Sequence, residues 1–407
     1  MKTFAFPTTR FLVICPNTNT HFLPLSYQSV YIAFDPHPSS KGASTHITHF
    51  FAALQAYKSP AALLTLAHGP EPELAGVGHY VFQSEEGNYL RRGEAFSHWA
   101  NEFLEQNKTL SLGHFRDIWG GLAVLHHPHL RSVYEVNGLP SIELPYRYPQ
   151  IAPSTLDKLR ELEDYCLHRA ETIVTPSETI RAHLQKRGVD PSKITVIPNG
   201  AEVAALYPRP EGQSKPYILY QGALQSWQGV EVLLKAFRYL EDFPDLQLVI
   251  CSGHKPKHAR PLQRLVNRMS LTDRVVWHFQ LKKPVLQQWM QHAVCTIAPL
   301  LECSRNLEQG CSPLKVLESM ACGTPVVASD LPVVREILTP NENGLVARAG
   351  RPSDLARQIR ILLEFPDLRN QLGQAAQKHI AQHYTWNHQI QKLHTVYSTP
   401  ETEIFES

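Results

Sequence analysis

The residues of this 407-residue chain best suited to chemistry lie in one stretch, Gly310-Cys311-Ser312-Pro313-Leu314-Lys315-Val316-Leu317-Glu318. Pro313 suits the first position of a helix and Ser312 suits the N-cap before it, which puts Lys315 in the third helical position. Glu or Gln is favoured there, because the unpaired N–H groups of a helix start make that end positive. A lysine in that place costs a few tenths to about 1 kcal/mol unless an anion offsets it. A phosphate on the helix N-terminus supplies the anion, held jointly by backbone N–H groups and the ammonium. Gly310 lets the backbone approach such a ligand closely. Glu318 lies three residues after Lys315 on the same helical face, where its carboxylate can accept bonds from sugar hydroxyls. The pattern reads as a site for a nucleoside diphosphate, with Lys315 on phosphate and Glu318 on ribose. It also fits a surface lysine paired with a glutamate one turn away, and spacing alone does not separate the two.

A helix start faces a ligand only if the surrounding elements open onto one. In the C-terminal half, strand-like runs at 217–222, 246–253, 274–279, 294–300 and 324–330 alternate with amphipathic helical patterns at 230–240, 258–269, 284–292, 313 onward and 352–364. That rhythm means βαβ units and a parallel sheet covered on both faces. The N-terminal half repeats it, with strands at 29–34, 61–67, 109–115, 132–138, 172–177 and 193–200 and helices at 45–57, 153–169 and 178–187. Residues 70–100 give no clear pattern, and the breaker-rich 207–216 marks the domain boundary. The expected architecture is α/β: two doubly wound, Rossmann-like domains facing each other across a deep cleft. Ligands in such sheets sit at the carboxyl ends of the strands, beside helix N-termini.

Composition narrows the function. Hydrophobic residues make up 43% and charged residues 19%, as in a globular chain, and the net charge of +2 gives no reason to expect nucleic acid. Seven scattered cysteines with no C-x-x-C argue for a reduced, cytoplasmic setting. The first 20 residues, interrupted by Pro7 and Arg10, do not read as a signal peptide, and no apolar run reaches membrane-spanning length. Peripheral contact with the inner face of a membrane stays open. No D-x-D, H-E-x-x-H, nucleophile elbow or Walker loop occurs, so no metal is expected. The run His126-His127-Pro128-His129 reads as a surface loop, at least one of His46 and His49 as packing, and His114 as a strand-end residue with access to the cleft.

From about Thr172 onward the chain resembles the retaining glycosyltransferases of family 4, which have the GT-B fold. The resemblance rests on ITVIPNGAE (194–202), YQGALQSWQGVEVLLKAF (220–237), GCSPLKVLESMACGTPVVASDLPVVREI (310–337) and NGLVA (343–347). It implies transfer of a sugar from a nucleotide donor, most often a UDP-sugar, to a polysaccharide, glycolipid or other glycoconjugate. No cofactor is implied, and the oligomeric state is left open. It also implies an N-terminal acceptor-side domain (1–207), a nucleotide-sugar domain (208–385) and a last helix (386–407) returning to the first. Glu318 matches the ribose-holding glutamate of the family's paired-glutamate signature, but Gly310 stands where the first glutamate belongs. Ala223 and Gln228 stand where an Arg and a Lys are usual, and Asn137 where a histidine is frequent. Lys315 supplies the missing charge in a sub-branch that pairs W-Q-G with G-C-S-P-L-K. The catalytic residues implied are Lys315, Gln228 and Asn137. The donor-binding set is Gly42, Gly222, Phe279, Gln280, Gly310, Cys311, Ser312, Leu314, Lys315 and Glu318, with Phe279 and Gln280 at the base and Gly42 facing phosphate. The alternatives are a UDP-sugar epimerase of similar fold and a non-catalytic sugar-nucleotide sensor, the latter suggested by the three lost polar groups.

Overall fold

The computed structural model describes residues 26–39, 42–67 and 78–399; the segment read for a signal peptide lies outside them. Its N-terminal sheet contains β1 (Ser29–Pro36), β2 (Ala61–Leu66), β3 (His79–Phe82), β4 (Leu112–Phe115), β5 (Arg131–Glu135), β6 (Thr172–Thr175) and β7 (Ile194–Val196). The order is β3-β2-β1-β4-β5-β6-β7, all parallel. The second sheet contains β8 (Tyr217–Gln221), β9 (Gln247–Ser252), β10 (Val275–Phe279), β11 (Thr296–Ala298), β12 (Val326–Ser329) and β13 (Leu345–Ala347). Its order, β10-β9-β8-β11-β12-β13, is again parallel throughout. Both sheets reverse winding direction beside their first strand, at β1/β4 and at β8/β11, and a crevice opens at the carboxyl end of such a switch point. The expected α/β class is what forms.

The strands form because runs such as Val30–Ala33 and Tyr217–Tyr220 are apolar and buried on both faces, as parallel strands under two helical layers must be. Helix Val230–Arg238 covers the second sheet with Val230, Leu233, Leu234 and Phe237. The last helix, Trp386–Ser398, leaves the second domain and packs Leu393, Val396 and Tyr397 against Tyr31, Phe50 and Val133 of the first. Tyr397 is tied there by its hydroxyl to His114 Nδ1 at 2.7 Å and by its carbonyl to the Tyr57 hydroxyl at 2.7 Å.

Some expected elements differ. The silent region 70–100 contains β3 and most of helix Tyr89–Gln106, and helices Ile118–Val124, Pro140–Arg147 and Pro366–His383 were not anticipated. The last of these carries buried residues only at Leu372, Gly373, Ala376 and Ile380, too sparse a stripe to stand out. The long 294–300 run gives a strand of three residues, because Pro299 ends the ladder.

Polar contacts pin the two domains together. Glu336 of the second domain accepts hydrogen bonds from the backbone N–H groups of Glu178 (2.8 Å) and Thr179 (3.0 Å) and from the Thr179 hydroxyl (2.8 Å), so it caps a helix, Glu178–Lys186, of the first. Buried Gln309 accepts from the Leu139 N–H at 2.9 Å and donates to Glu143 at 2.8 Å. At the crossing between domains, Asn199 bonds both the hydroxyl (3.0 Å) and the carbonyl (2.7 Å) of Ser312.

Gly229 joins the short turn Ser226–Gln228 to helix Val230–Arg238 at φ +71°, and a Cβ there would stand 1.7 Å from the Pro299 carbonyl oxygen. Both the left-handed backbone and the backbone contact forbid a side chain, so Gly229→Ala is expected to lower stability in urea denaturation by about 3 kcal/mol or more.

Candidate active site

Lys315 is the second residue of helix Leu314–Ala321, whose N-cap is Pro313 rather than Ser312. The Ser312 hydroxyl accepts the Asn199 N–H instead, so the residue expected to cap the helix ties the two domains at this point. The helix start is left with uncapped N–H groups at the switch point of the second sheet. The half-buried Lys315 side chain lies over the Tyr220 ring, 4.3 Å from its centroid, donates to the Tyr220 hydroxyl at 3.1 Å and donates to Gln228 Oε1. Gly222, at the end of β8 with φ +136°, has open space only as far as the lysine: a Cβ there would meet Lys315 Nζ at 3.0 Å. Gly42 opens the helix Gly42–Tyr57 of the other domain and comes so close that a Cβ would meet Leu314 Cδ1 at 2.8 Å. Thus Lys315, Gln228, Gly222, Leu314 and Gly42 come together, while Phe279 and Gln280 lie at the carboxyl end of β10, two strands from β8. Gln280 adopts φ +53° and bonds the Ser252 carbonyl through its N–H at 2.7 Å.

Burial lowers the Lys315 ammonium to about 7, since its hydrogen-bonding partners are neutral. Burial raises Glu318 to about 7, against the pull of Lys283 and Lys315. Glu318 lines a small cavity between the domains with Leu314, Lys283, Thr45 and Trp386. Each of these two charges is thus expensive where it stands, and an anion beside Lys315 would relieve the first.

Two sequence expectations need correction. The side that a Cβ of Gly310 would occupy is filled by Thr179 and Ser177 of the first domain at 2.9–3.0 Å, and the Gly310 N–H bonds the Arg305 carbonyl at 3.0 Å. Gly310 therefore permits a protein–protein approach, and its N–H is not free for phosphate. His114 does not reach the cleft: it is fully buried between Tyr397 and Glu135. Cys311 is half-buried, with its thiol against Arg305.

The N-terminal side holds a buried carboxylate, Glu135 at the end of β5. It receives bonds from Arg116, His114 (3.1 Å), Tyr31 (2.5 Å) and the amide of Asn137, with His46 Nδ1 at 3.1 Å. Burial alone would raise its carboxyl, but these neighbours hold it well below the usual range. Burial also drives His46 toward neutrality, so Arg116 is the ionic partner that counts. Asn137, half-exposed at the cleft, is thereby fixed through its amide nitrogen. His49 stacks on Trp386 at 4.0 Å, a packing role as expected for one of the helix histidines. Tyr220, Lys283, Arg305 and Glu143 were missed by sequence reading. Tyr220 reads as a core residue, and the others lie outside any motif. Among the described residues no group of three or more His, Cys, Asp or Glu converges to hold a metal, and no helix is long and apolar enough to cross a membrane.

Two parallel-sheet domains that meet at their carboxyl edges, with an uncapped helix start and a lysine at the switch point, have the GT-B architecture. Family comparison agrees: residues 40–205 match the model described as Glycosyltransferase Family 4, and residues 208–379 match Glycosyl transferases group 1. The chain belongs to the family 4 glycosyltransferases. It is 28% identical to a D-inositol 3-phosphate glycosyltransferase of Jonesia denitrificans over 257 residues, which are 56% of this chain and 58% of that protein. The chain thus spans less than two thirds of that relative's length. Alpha-maltose-1-phosphate synthase of Mycolicibacterium smegmatis is 22% identical over 396 residues, 88% of this chain and 95% of that one. In three dimensions the sucrose-phosphate synthase of Thermosynechococcus elongatus superposes with TM-score 0.74 at 19% identity, covering 91% of this chain and 98% of its own. Anabaena Alr3699/HepE in complex with UDP and glucose does so with TM-score 0.72 at 15% identity, covering 91% and 100%.

The paired shifts give a stability prediction. With its folded value below 10.5, Lys315 removes stability as pH falls from 10.5 to about 7. With its folded value above 4.5, Glu318 removes stability as pH rises from 4.5 to about 7. Near pH 7 the protein alone carries both penalties. Lys315→Met and Glu318→Gln are each expected to raise ligand-free stability at pH 7 by on the order of 1 kcal/mol in urea denaturation. The first gain should shrink toward pH 10 and the second toward pH 4.5.

Proposed function

We propose that this chain is a retaining, metal-independent glycosyltransferase that moves a sugar from a UDP-sugar to a carbohydrate or glycolipid acceptor. The observation that carries this reading is the place of Lys315: a cation costly to hold at the start of an uncapped helix, laid over the Tyr220 ring with only neutral hydrogen-bonding partners. A diphosphate is the ligand that offsets that cost. Family membership supplies the sugar-nucleotide class, and the complex of HepE with UDP and glucose favours UDP among nucleotides.

As the glycosidic bond breaks, negative charge collects on the β-phosphate. Lys315 and the N–H groups at the start of its helix are aimed where that charge develops, and Gln228 holds the ammonium in place. Pro313 has no N–H to give, so the backbone share falls to Leu314 and Lys315 themselves, with Cys311 and Ser312 before them. Glu318 takes the ribose hydroxyls as a carboxylate. The acceptor attacks from the face the nucleotide leaves, which preserves configuration, and the departing phosphate takes the acceptor proton. Asn137, locked to Glu135, orients the acceptor sugar. Closure of Gly42 over the donor excludes water.

Lys315→Ala should lower turnover by about 10²-fold with the fold retained, read by UDP release from UDP-sugars in the presence of candidate acceptors. Kinetics equal to the parent's would make Lys315 an ordinary lysine. Glu318→Ala should weaken UDP binding by about 1.5–3 kcal/mol in calorimetry. Turnover that survives exhaustive chelation supports the metal-independent reading, and turnover restored only by a divalent ion defeats it. UDP affinity should fall as pH rises above the Lys315 value of about 7, with a proton taken up on binding at pH 8. Affinity that is flat from pH 7 to 9 would remove the lysine from the diphosphate.

A further inference from the structure

The second domain places another cation near Lys315, on a segment outside the motifs. Arg305 opens the short π-helical turn Arg305–Gln309 between β11 and the helix of Lys315. Its guanidinium lies over the Trp227 indole, 5.6 Å from the ring centroid, and Tyr146 of the first domain packs edge-on to the same indole at 5.2 Å. The Cys311 thiol lies beside Arg305, whose Nη1 donates to Asn306 Oδ1 at 3.2 Å, and the charge of Arg305 lowers the Lys315 ammonium. Trp227 itself immediately precedes Gln228, which holds the lysine.

Two N–H donors at this place have no hydrogen-bond acceptor: Arg305 Nε and the indole Nε1 of Trp227, a residue only 9% exposed. The carboxylate of Glu143, from the first domain, stands 3.6 Å from Arg305 Nε, an ion pair but not a hydrogen bond. The same carboxylate oxygen is already taken by Gln309 at 2.8 Å. Buried N–H donors without acceptors are costly and uncommon, and here two stacked side chains each carry one. An arginine fork also suits a phosphate better than a lone lysine does.

We propose that Arg305 is a second donor-binding cation, which with Trp227 Nε1 holds an oxygen of the same diphosphate that Lys315 engages. It stands in for the basic groups absent at Ala223 and Gln228. The inference rests on the donor-site reading of Lys315. Glu143 is then a resident competitor: its carboxylate sits beside the cation that the diphosphate claims. The contrary view is that Arg305 is a strut, present only to pair with Glu143 across the cleft.

The test is calorimetric titration of UDP, with uridine measured by competition, on the parent and on Arg305→Gln, Arg305→Lys, Glu143→Gln and the Arg305→Gln/Glu143→Gln double variant. Thermal melts establish that each is folded, and Arg305→Lys keeps a cation if the glutamine variant does not fold. Arg305→Gln should weaken UDP by about 10–100-fold, the loss expected for a charge-assisted contact, while uridine affinity holds within about twofold. Arg305→Lys should recover part of the loss, and Glu143→Gln should leave UDP binding unchanged or tighter. Unchanged UDP affinity in Arg305→Gln overturns the proposal, and the donor-site reading then stands if Lys315→Ala still weakens UDP. Equal weakening by Arg305→Gln and Glu143→Gln, with no further loss in the double variant, also overturns it and makes Arg305 a strut. A parent that binds UDP no better than uridine ends the donor-site reading, and this inference with it.

Discussion

A positive charge held against an aromatic ring at the start of a helix, with neutral partners, is the constraint on which the site depends. Lys315 can sit there because Tyr220 and Gln228 give it two oxygens and because Gly222 has no side chain to contest the space. None of these groups neutralises it, so the arrangement asks for an anion from outside. The rest of the second domain serves this placement. The β8/β11 switch point opens the crevice, Gly229 turns the chain so that Gln228 faces the lysine, and Ser312 fixes the segment ahead of the helix to the crossing at Asn199.

The domains meet through hydrogen bonds and charged groups more than through a shared apolar core. The Glu336 carboxylate on the helix start at Glu178, Gln309 on Leu139 and the Asn199–Ser312 pair are each directional, and each joins a loop or helix end on one side to one on the other. Such contacts fix orientation at modest net energy, because their groups are equally content with water when parted. The apolar docking of the last helix, with Tyr397 and Trp386 fully or nearly buried, is by contrast a permanent tether. Its anchor is also the partner of His114, which holds Glu135, which holds Asn137. The tether and Asn137 are therefore joined by one hydrogen-bonded chain.

The fold was legible because parallel strands buried on both faces leave long apolar runs, as at Val30–Ala33 and Tyr217–Tyr220. Helix Tyr89–Gln106 was not legible, since its buried positions, among them Gly93, Phe96 and Ala100, are diluted by polar residues and one of them is a glycine. At the site, Lys315 and Glu318 could be read because helix spacing makes their relation local. Arg305, Glu143 and Lys283 could not, because what matters about them is which segment they meet across the cleft. Gly310 illustrates the opposite error. A glycine beside a candidate ligand site suggested room for a ligand, but the space belongs to Thr179 of the other domain. One sequence signal, a small residue, has two physical causes, and only the neighbour decides between them.

On the donor-site reading proposed above, the opposed shifts of Lys315 and Glu318 would make the site both selective and reversible. Burial pushes the Lys315 ammonium down to about 7 and the Glu318 carboxyl up to about 7, so near neutral pH both charges are costly to keep. A ligand that brings an anion to the lysine and hydroxyls to the carboxylate restores both at once. A ligand with only one of the two leaves the other group at its unfavourable value. Discrimination thus comes from the protein's own destabilised charges rather than from added contacts, and the cost of keeping them is returned only when the right molecule fills the cleft. The same logic limits how tightly the product can be held. On the proposed function, part of the binding energy would be consumed in re-ionising the pair, so a nucleoside diphosphate left after transfer would be bound less tightly than its contacts alone suggest, as a site that releases its product each cycle requires.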